Sequence, residues 1–284
     1  MLLRFALLYG ALYSAFGVQS PYLPVLLQSR GLGPELIGLV LGANTAVRLV
    51  AGPAAGQLAD ALGARRAVLA ACALLAAALA PVYLAASSFG PVLAVAVMQA
   101  AALAPLAPLS DALVLSAAAP RSGGLGFTYG QVRGVGSAAF ILGTVLSGSA
   151  VGSFGIGAMV VLSACLLAGT AGCAAAAPLL TPAAAAAPQA AAMRGIGRLL
   201  RIASYRRLVL VAALILGSHA MHDSFAVIRW RAAGVTTGVA GLLWSEQVAA
   251  EVLVFVLIGP WLVDRLGVAR AAALAAVAGV LRWC

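Results

Sequence analysis

The sequence predicts an all-α, polytopic membrane protein made of two related halves. Three observations predict it. The 284 residues are 64% hydrophobic and only 8% charged, whereas a soluble domain is about half apolar and about a quarter charged. Apolar runs of roughly 20 residues, the length a helix needs to cross the hydrocarbon layer, recur from end to end. A short polar hinge also occurs twice. Asp60, Leu62, Gly63, Arg66 and Ala67 return as Asp264, Leu266, Gly267, Arg270 and Ala271, 204 residues further on. Spanning by strands would need short alternating segments, and the chain has none.

The first apolar run, 3–27, is expected to be a span and not a cleaved signal, because no short apolar core precedes a small-residue cleavage site. Pro21 and Pro24 fall in its outer third, where they are expected to kink it. The second run, 37–58, carries Arg48 near its middle and ends in the hinge from Gly56 through Asp60 and Gly63 to Arg65 and Arg66. The third and fourth runs cover 67–86 and 92–117, the fourth holding Pro105, Pro108 and Asp111. The fifth, 129–151, is rich in glycine and begins with Gln131 and Arg133; the sixth covers 156–177. These six are expected to form one bundle, 1–177.

A stretch of alanine with three prolines opens the segment 178–205, and Arg194, Arg198 and Arg201 follow it. That composition suits a cytoplasmic linker. The remainder, 206–284, is expected to begin a second bundle. Its seventh run, 208–230, holds His219, His222 and Asp223. Its eighth, 239–262, holds Glu246 and Glu251 and leads into the second hinge. Only the start of a ninth run follows. The symmetry of transporter repeats leads us to expect about three further helices, as if the reading frame stopped early.

The net charge is +10, and every basic residue is arginine. With the N-terminus inside, eleven loop arginines, among them Arg4, Arg65, Arg66, Arg121, Arg265 and Arg270, are cytoplasmic. Three, Arg30, Arg229 and Arg231, are outside. The positive-inside rule therefore reads the excess as topology in a plasma (inner) membrane and not as a nucleic-acid footprint. Cys72, Cys165, Cys173 and Cys284 show no metal or disulfide spacing. No cofactor is expected, and the chain is expected to be a monomer in the lipid bilayer.

An ionisable side chain at mid-membrane costs at least about 2.5–3.5 kcal/mol, so it faces a cavity or a partner. Arg133, about one turn inside its run, has a fork suited to a carboxylate. Asp111 is its expected countercharge, and Arg48 is a third candidate substrate contact. His219, His222, Asp223, Glu246 and Glu251 are the candidates for handling protons, since a carboxyl in a dry cavity titrates nearer neutrality and histidine does so unaided. His219 and Asp223, four residues apart, share a helix face. His222 sits about 60° off their line, at 3.6 residues per turn, which argues against a metal site. In the hinges, Gly56, Asp60, Gly63, Arg65, Arg66, Asp264, Gly267 and Arg270 suggest a conformational role. There a carboxylate would pair with a neighbouring basic group in one state only.

The first hinge resembles the signature loop of the major facilitator superfamily. Further stretches resemble the branch that includes the 3-phenylpropionate permeases, related to the lactose-permease group. They are Pro21-Tyr22-Leu23-Pro24, Tyr129-Gly130-Gln131-Val132-Arg133, Gly217-Ser218-His219-Ala220, Gly241-Leu242-Leu243-Trp244 with Glu251, and Leu281-Arg282-Trp283. The first hinge departs from the pattern at Ala61, where an arginine is usual. The resemblance implies a proton-coupled permease working by alternating access, with a small-molecule substrate and H+ as partners. It also implies that the setting of Arg133 is that of a substrate-contacting arginine. The expected function is secondary transport of a small organic solute, for example an aromatic carboxylate, by proton symport. Proton-antiport efflux, an intramembrane enzyme and a fragment that transports nothing are the other readings; a nucleophile–base or metal constellation, which an enzyme would need, is not evident.

Overall fold

We describe the protein from a computed structural model covering residues 1–118, 127–178 and 198–283. Every element among these residues is helical: α1 Leu2–Gln19, α2 Leu23–Ser29, α3 Pro34–Ala61, α4 Arg65–Leu79, α5 Val82–Ala85, α6 Phe89–Leu103, α7 Leu106–Ala118, α8 Tyr129–Phe154, α9 Gly157–Ala175, α10 Ala203–Ala232, α11 Thr237–Leu253 and α12 Gly259–Trp283. A π-helical turn, Val254–Ile258, joins the last two. It lies just ahead of Pro260, which lacks the N–H a regular helix would use. Eight segments of the described residues are long and apolar enough to cross a membrane. Arg121, Arg194 and most of the expected linker lie outside the described residues.

Proline divides the long apolar runs. The first run is split between α1 and α2, with Pro24 in the first turn of α2, where its missing N–H leaves nothing unpaired. The fourth run is split at Ala104-Pro105 into α6 and α7. Pro53 is carried inside α3. The start of α8 is set by a capping box, in which Thr128 and Gln131 exchange side-chain and backbone hydrogen bonds. Its end is set by Gly155, at φ 80°.

Two compact units are distinguished, Met1–Pro182 with Val227–Glu246, and Ala183–Ala226 with Gln247–Cys284. In the first, α1 packs against α8 and α9, α4 against α9 and α6, and α3 against α6. Phe5, Leu8, Leu12, Leu69, Leu106 and Leu167 are fully buried in its core. Lipid tails are as apolar as leucine, so helices associate in a membrane through close packing and hydrogen bonds. The α1–α8 seam shows both. A Cβ on Gly17 would lie 2.1 Å from Phe140 O, and one on Gly143 would lie 2.4 Å from Ser14 O. Only glycine permits that approach. Ser14 donates to Ala139 O (3.1 Å), Thr144 to Gly17 O (3.2 Å) and Ser147 to Val18 O (2.9 Å). Deeper in the bundle, buried Gln19 donates to Gln99 (2.7 Å), which donates to Ala76 O (3.2 Å).

The C-terminal end of α9 is held by two arginines. Arg4 donates to Ala176 O (3.5 Å) and Arg66 to Ala177 O (2.8 Å). Both carbonyls lie at a helix end, where no intrahelical donor remains. In the segment Val227–Glu246, Thr237 O accepts from Tyr22 (2.6 Å), and Gly241 packs against Gly148 and Thr144 of α8. The second unit takes the first part of α10, the end of α11, the π turn and α12. Among the described residues of that unit only Ala226, at its edge, counts as buried.

Candidate substrate site

Polar and aromatic side chains converge between α1, α7 and α8 of the first unit. Tyr9, Tyr13 and Phe16 follow one another at helical spacing along one face of α1. Tyr129, Arg133 and Gly136 do the same along α8. The ring of Tyr13 lies 5.3 Å from that of Tyr9, and Phe16 meets it edge-on at 5.7 Å. Gly136 makes room for both tyrosines, because a Cβ there would come within 2.9 Å of Tyr13 and 3.1 Å of Tyr9. The Arg133 guanidinium stands over the Tyr13 ring, 4.6 Å from its centroid. Tyr9 and Tyr129 both donate their hydroxyls to Asp111 Oδ1 of α7, Tyr129 at 3.1 Å.

This arrangement corrects one expectation. Asp111 is not the ion-pair partner of Arg133. Two phenol hydroxyls reach its carboxylate, and the arginine turns instead to an aromatic face. The tyrosines that intervene are 102 and 18 residues from Asp111 in sequence, so no local pattern announces them. Arg48, on α3, is exposed and shares no ion pair with either group.

The expected proton-handling residues are more dispersed. His219 Nδ1 lies 2.8 Å from Ile215 O, one turn back along α10. His222 Nε2 lies 3.2 Å from Gln247 Oε1 of α11. Asp223, Glu246 and Glu251 are exposed. No group of three His, Cys, Asp or Glu side chains among the described residues is placed to hold a metal ion.

Both hinges place glycine where the repeat requires it. Gly63 has φ 60° and Gly267 φ 75°, positive values that cost a side chain about 1–3 kcal/mol. Across the first hinge, Arg65 Nε meets Asp60 Oδ1 at 2.5 Å, linking the end of α3 to the start of α4. In the second, Arg265 lies over Trp261, 5.2 Å from the ring centroid. Asp264 and Arg270 are exposed and form no ion pair among the described residues. Gly56 is spacious and sits within α3.

Residues 2–284 match the model of a family described as the MFS_1 like family. The chain belongs to the major facilitator superfamily. This MFS chain is 30% identical over 282 residues to the probable 3-phenylpropionic acid transporter of Escherichia coli (strain K12), a match covering 98% of this chain and 72% of that protein. It is 29% identical over 290 residues to the maltose permease of Geobacillus stearothermophilus, covering 98% and 69%. The crystal structure of a mutant of the nucleoside transporter NupG superposes with a TM-score of 0.79 at 15% identity, over 94% of this chain and 69% of that one. The last match speaks for the fold. Together they make the protein a multi-pass MFS transporter for a small-molecule substrate.

Proposed function

We propose that this transporter carries an aromatic carboxylate, of the kind 3-phenylpropionate represents, across the cytoplasmic membrane in symport with a proton. The observation that carries the reading is the state of Arg133. Its cation, on an exposed side chain, stands over an aromatic ring, while no hydrogen bond or ion pair among the described residues occupies its N–H groups. A guanidinium so placed offers a two-pronged fork to a carboxylate, and the neighbouring rings offer apolar surface to the rest of the solute. The likeness to a 3-phenylpropionic acid transporter supports the same solute class. Asp111 and Arg48 complete the proposed substrate contacts. His219, His222, Asp223, Glu246 and Glu251 form the proton-handling set, with His222 already hydrogen-bonded to Gln247.

In this reading the N-terminus is cytoplasmic, the protein works as a monomer, and residues 1–177 and 206–284 belong to two bundles joined by a linker, 178–205. Rocking of one against the other exposes the site alternately. The pairing of Asp60 with Arg65 supplies a part, at most about 1 kcal/mol, of the few kcal/mol of bias between states that switching needs.

A sugar is the second reading. Asp111 with two phenols is a hydrogen-bonding set that suits hydroxyl groups, and one relative is a maltose permease. Uptake into vesicles separates the two. Labelled 3-phenylpropionate, maltose and uridine are supplied with and without an imposed inward proton gradient. Gradient-dependent accumulation of 3-phenylpropionate, lost in Arg133→Ala, is expected. Accumulation of maltose alone, or 3-phenylpropionate uptake indifferent to Arg133→Ala, would overturn the carboxylate reading.

A further inference from the structure

We propose that Tyr13 is a positioning residue, an aromatic rest that holds the Arg133 guanidinium in place and leaves its fork open to the solute's carboxylate. The proposal rests on the carboxylate reading of Arg133 and adds how that cation is aimed. An arginine side chain has four rotatable bonds and loses much conformational freedom when fixed. In this seam nothing anionic fixes it, because Asp111 is engaged by Tyr9 and Tyr129. What faces it is the Tyr13 ring, at 4.6 Å, well inside the range of cation–π attraction. That contact takes up no hydrogen bond of the guanidinium, so its N–H donors stay available among the described residues. A salt bridge to Asp111 would have consumed the same donors.

The ring is itself held from three sides. Tyr9 packs against it at 5.3 Å and is anchored in turn by its hydroxyl bond to Asp111. Phe16 meets it edge-on at 5.7 Å. On the α8 side Gly136 has no side chain to displace it. The line Asp111–Tyr9–Tyr13–Arg133 therefore passes orientation from a carboxylate to a cation without pairing the two charges. It gives Asp111 a positioning role, distinct from that of a countercharge. It also gives a reason for glycine at 136, where even a methyl group would push the rings aside.

The test separates the aim of Arg133 from transport. The full-length protein in nanodiscs is treated with phenylglyoxal, an arginine-selective reagent, and labelling of Arg133 is followed by peptide mass spectrometry. Tyr13→Leu and Tyr13→Met remove the ring face, the second with an unbranched chain that fills similar space, so a failure of the first to fold leaves the test standing. Both are expected to label Arg133 several-fold faster than the unsubstituted protein. Tyr13→Phe keeps the face and is expected to stay within about twofold. In uptake, Tyr13→Met is expected to raise the KM for 3-phenylpropionate about two- to fivefold, in line with a cation–π contact at an exposed site, with kcat little changed. Tyr13→Phe restores the KM. Equal labelling rates in Tyr13→Met and the unsubstituted protein, or Tyr13→Phe behaving as Tyr13→Met, would overturn the proposal. If labelling follows expectation while 3-phenylpropionate is not taken up, the carboxylate reading fails and the aromatic rest stands.

Discussion

The two copies of the hinge share a sequence pattern and a backbone habit but not a set of contacts. Gly63 and Gly267 both turn through positive φ. Around the first, Asp60 pairs with Arg65, Arg66 reaches the end of α9, and Ala59 is buried in the core. Around the second, Asp264 and Arg270 are exposed, and Arg265 lies over Trp261. The repeat therefore encodes the turn in its glycine, because only that residue bears the conformation without strain. It does not encode the side-chain partners, which depend on what is packed nearby. Arg66 needs the C-terminus of α9 to be present, and the described residues of the second unit offer no equivalent to Arg270.

The largest expected effect comes from attacking the packed unit where the loose one has no counterpart. Gly143→Leu drives a side chain into the backbone of α1, whose Ser14 O would lie 2.4 Å from the first added carbon. Overpacking of that kind costs typically about 1–3 kcal/mol and more where backbone must move. The yield of monodisperse protein in detergent is expected to collapse. Gly217→Leu in the second unit, with nothing within 4 Å, is expected to change melting temperature little; an equal collapse there would mean that α10 is as tightly packed as α8.

Gly63→Ala and Gly267→Ala sharpen the comparison at the turn. Each forces a side chain to positive φ, for Gly267 in the extended region (ψ 161°) that only glycine ordinarily enters, at about 1–3 kcal/mol. The two melting temperatures are expected to fall together. A loss confined to Gly63→Ala would show that the second turn does not hold its conformation.

The smallest effect is on the charges. Asp60→Asn removes a half-exposed ion pair, worth at most about 1 kcal/mol, whereas Asp264→Asn removes none. In thermal unfolding at low salt only the first should register, and the gap should close as salt screens the pair. A persistent loss in Asp264→Asn would reveal a partner for that carboxylate.

Much of this was legible in the residues. The hydropathy runs gave the spans, and the duplicated glycine gave both turns. Pro24 marked the division of the first run, because a missing N–H acts locally; the fourth run, read as one span, is divided at Pro105 for the same reason. The candidate substrate site was legible by halves. Arg133 stood out as a charge in an apolar run, and the α1 series of Tyr9, Tyr13 and Phe16 has a helical period that could have drawn notice. What joins them depends on α1 lying against α8, a long-range fact that glycine at 17, 136 and 143 permits but does not by itself announce. The Asp111–Arg133 pair expected from the neighbouring runs gave way for the same reason. A tyrosine from the far end of the chain was closer to the carboxylate than the arginine was.

The bond between Gln19 and Gln99 has a consequence for motion. Two neutral amides joined across α1 and α6, with the second also tied to Ala76 O of α4, work like a dowel through three planks. Sliding any plank would strand a buried amide, at about 1–3 kcal/mol for each group left unpaired. Since neither amide takes up or releases a proton, a change of pH has no purchase on that peg.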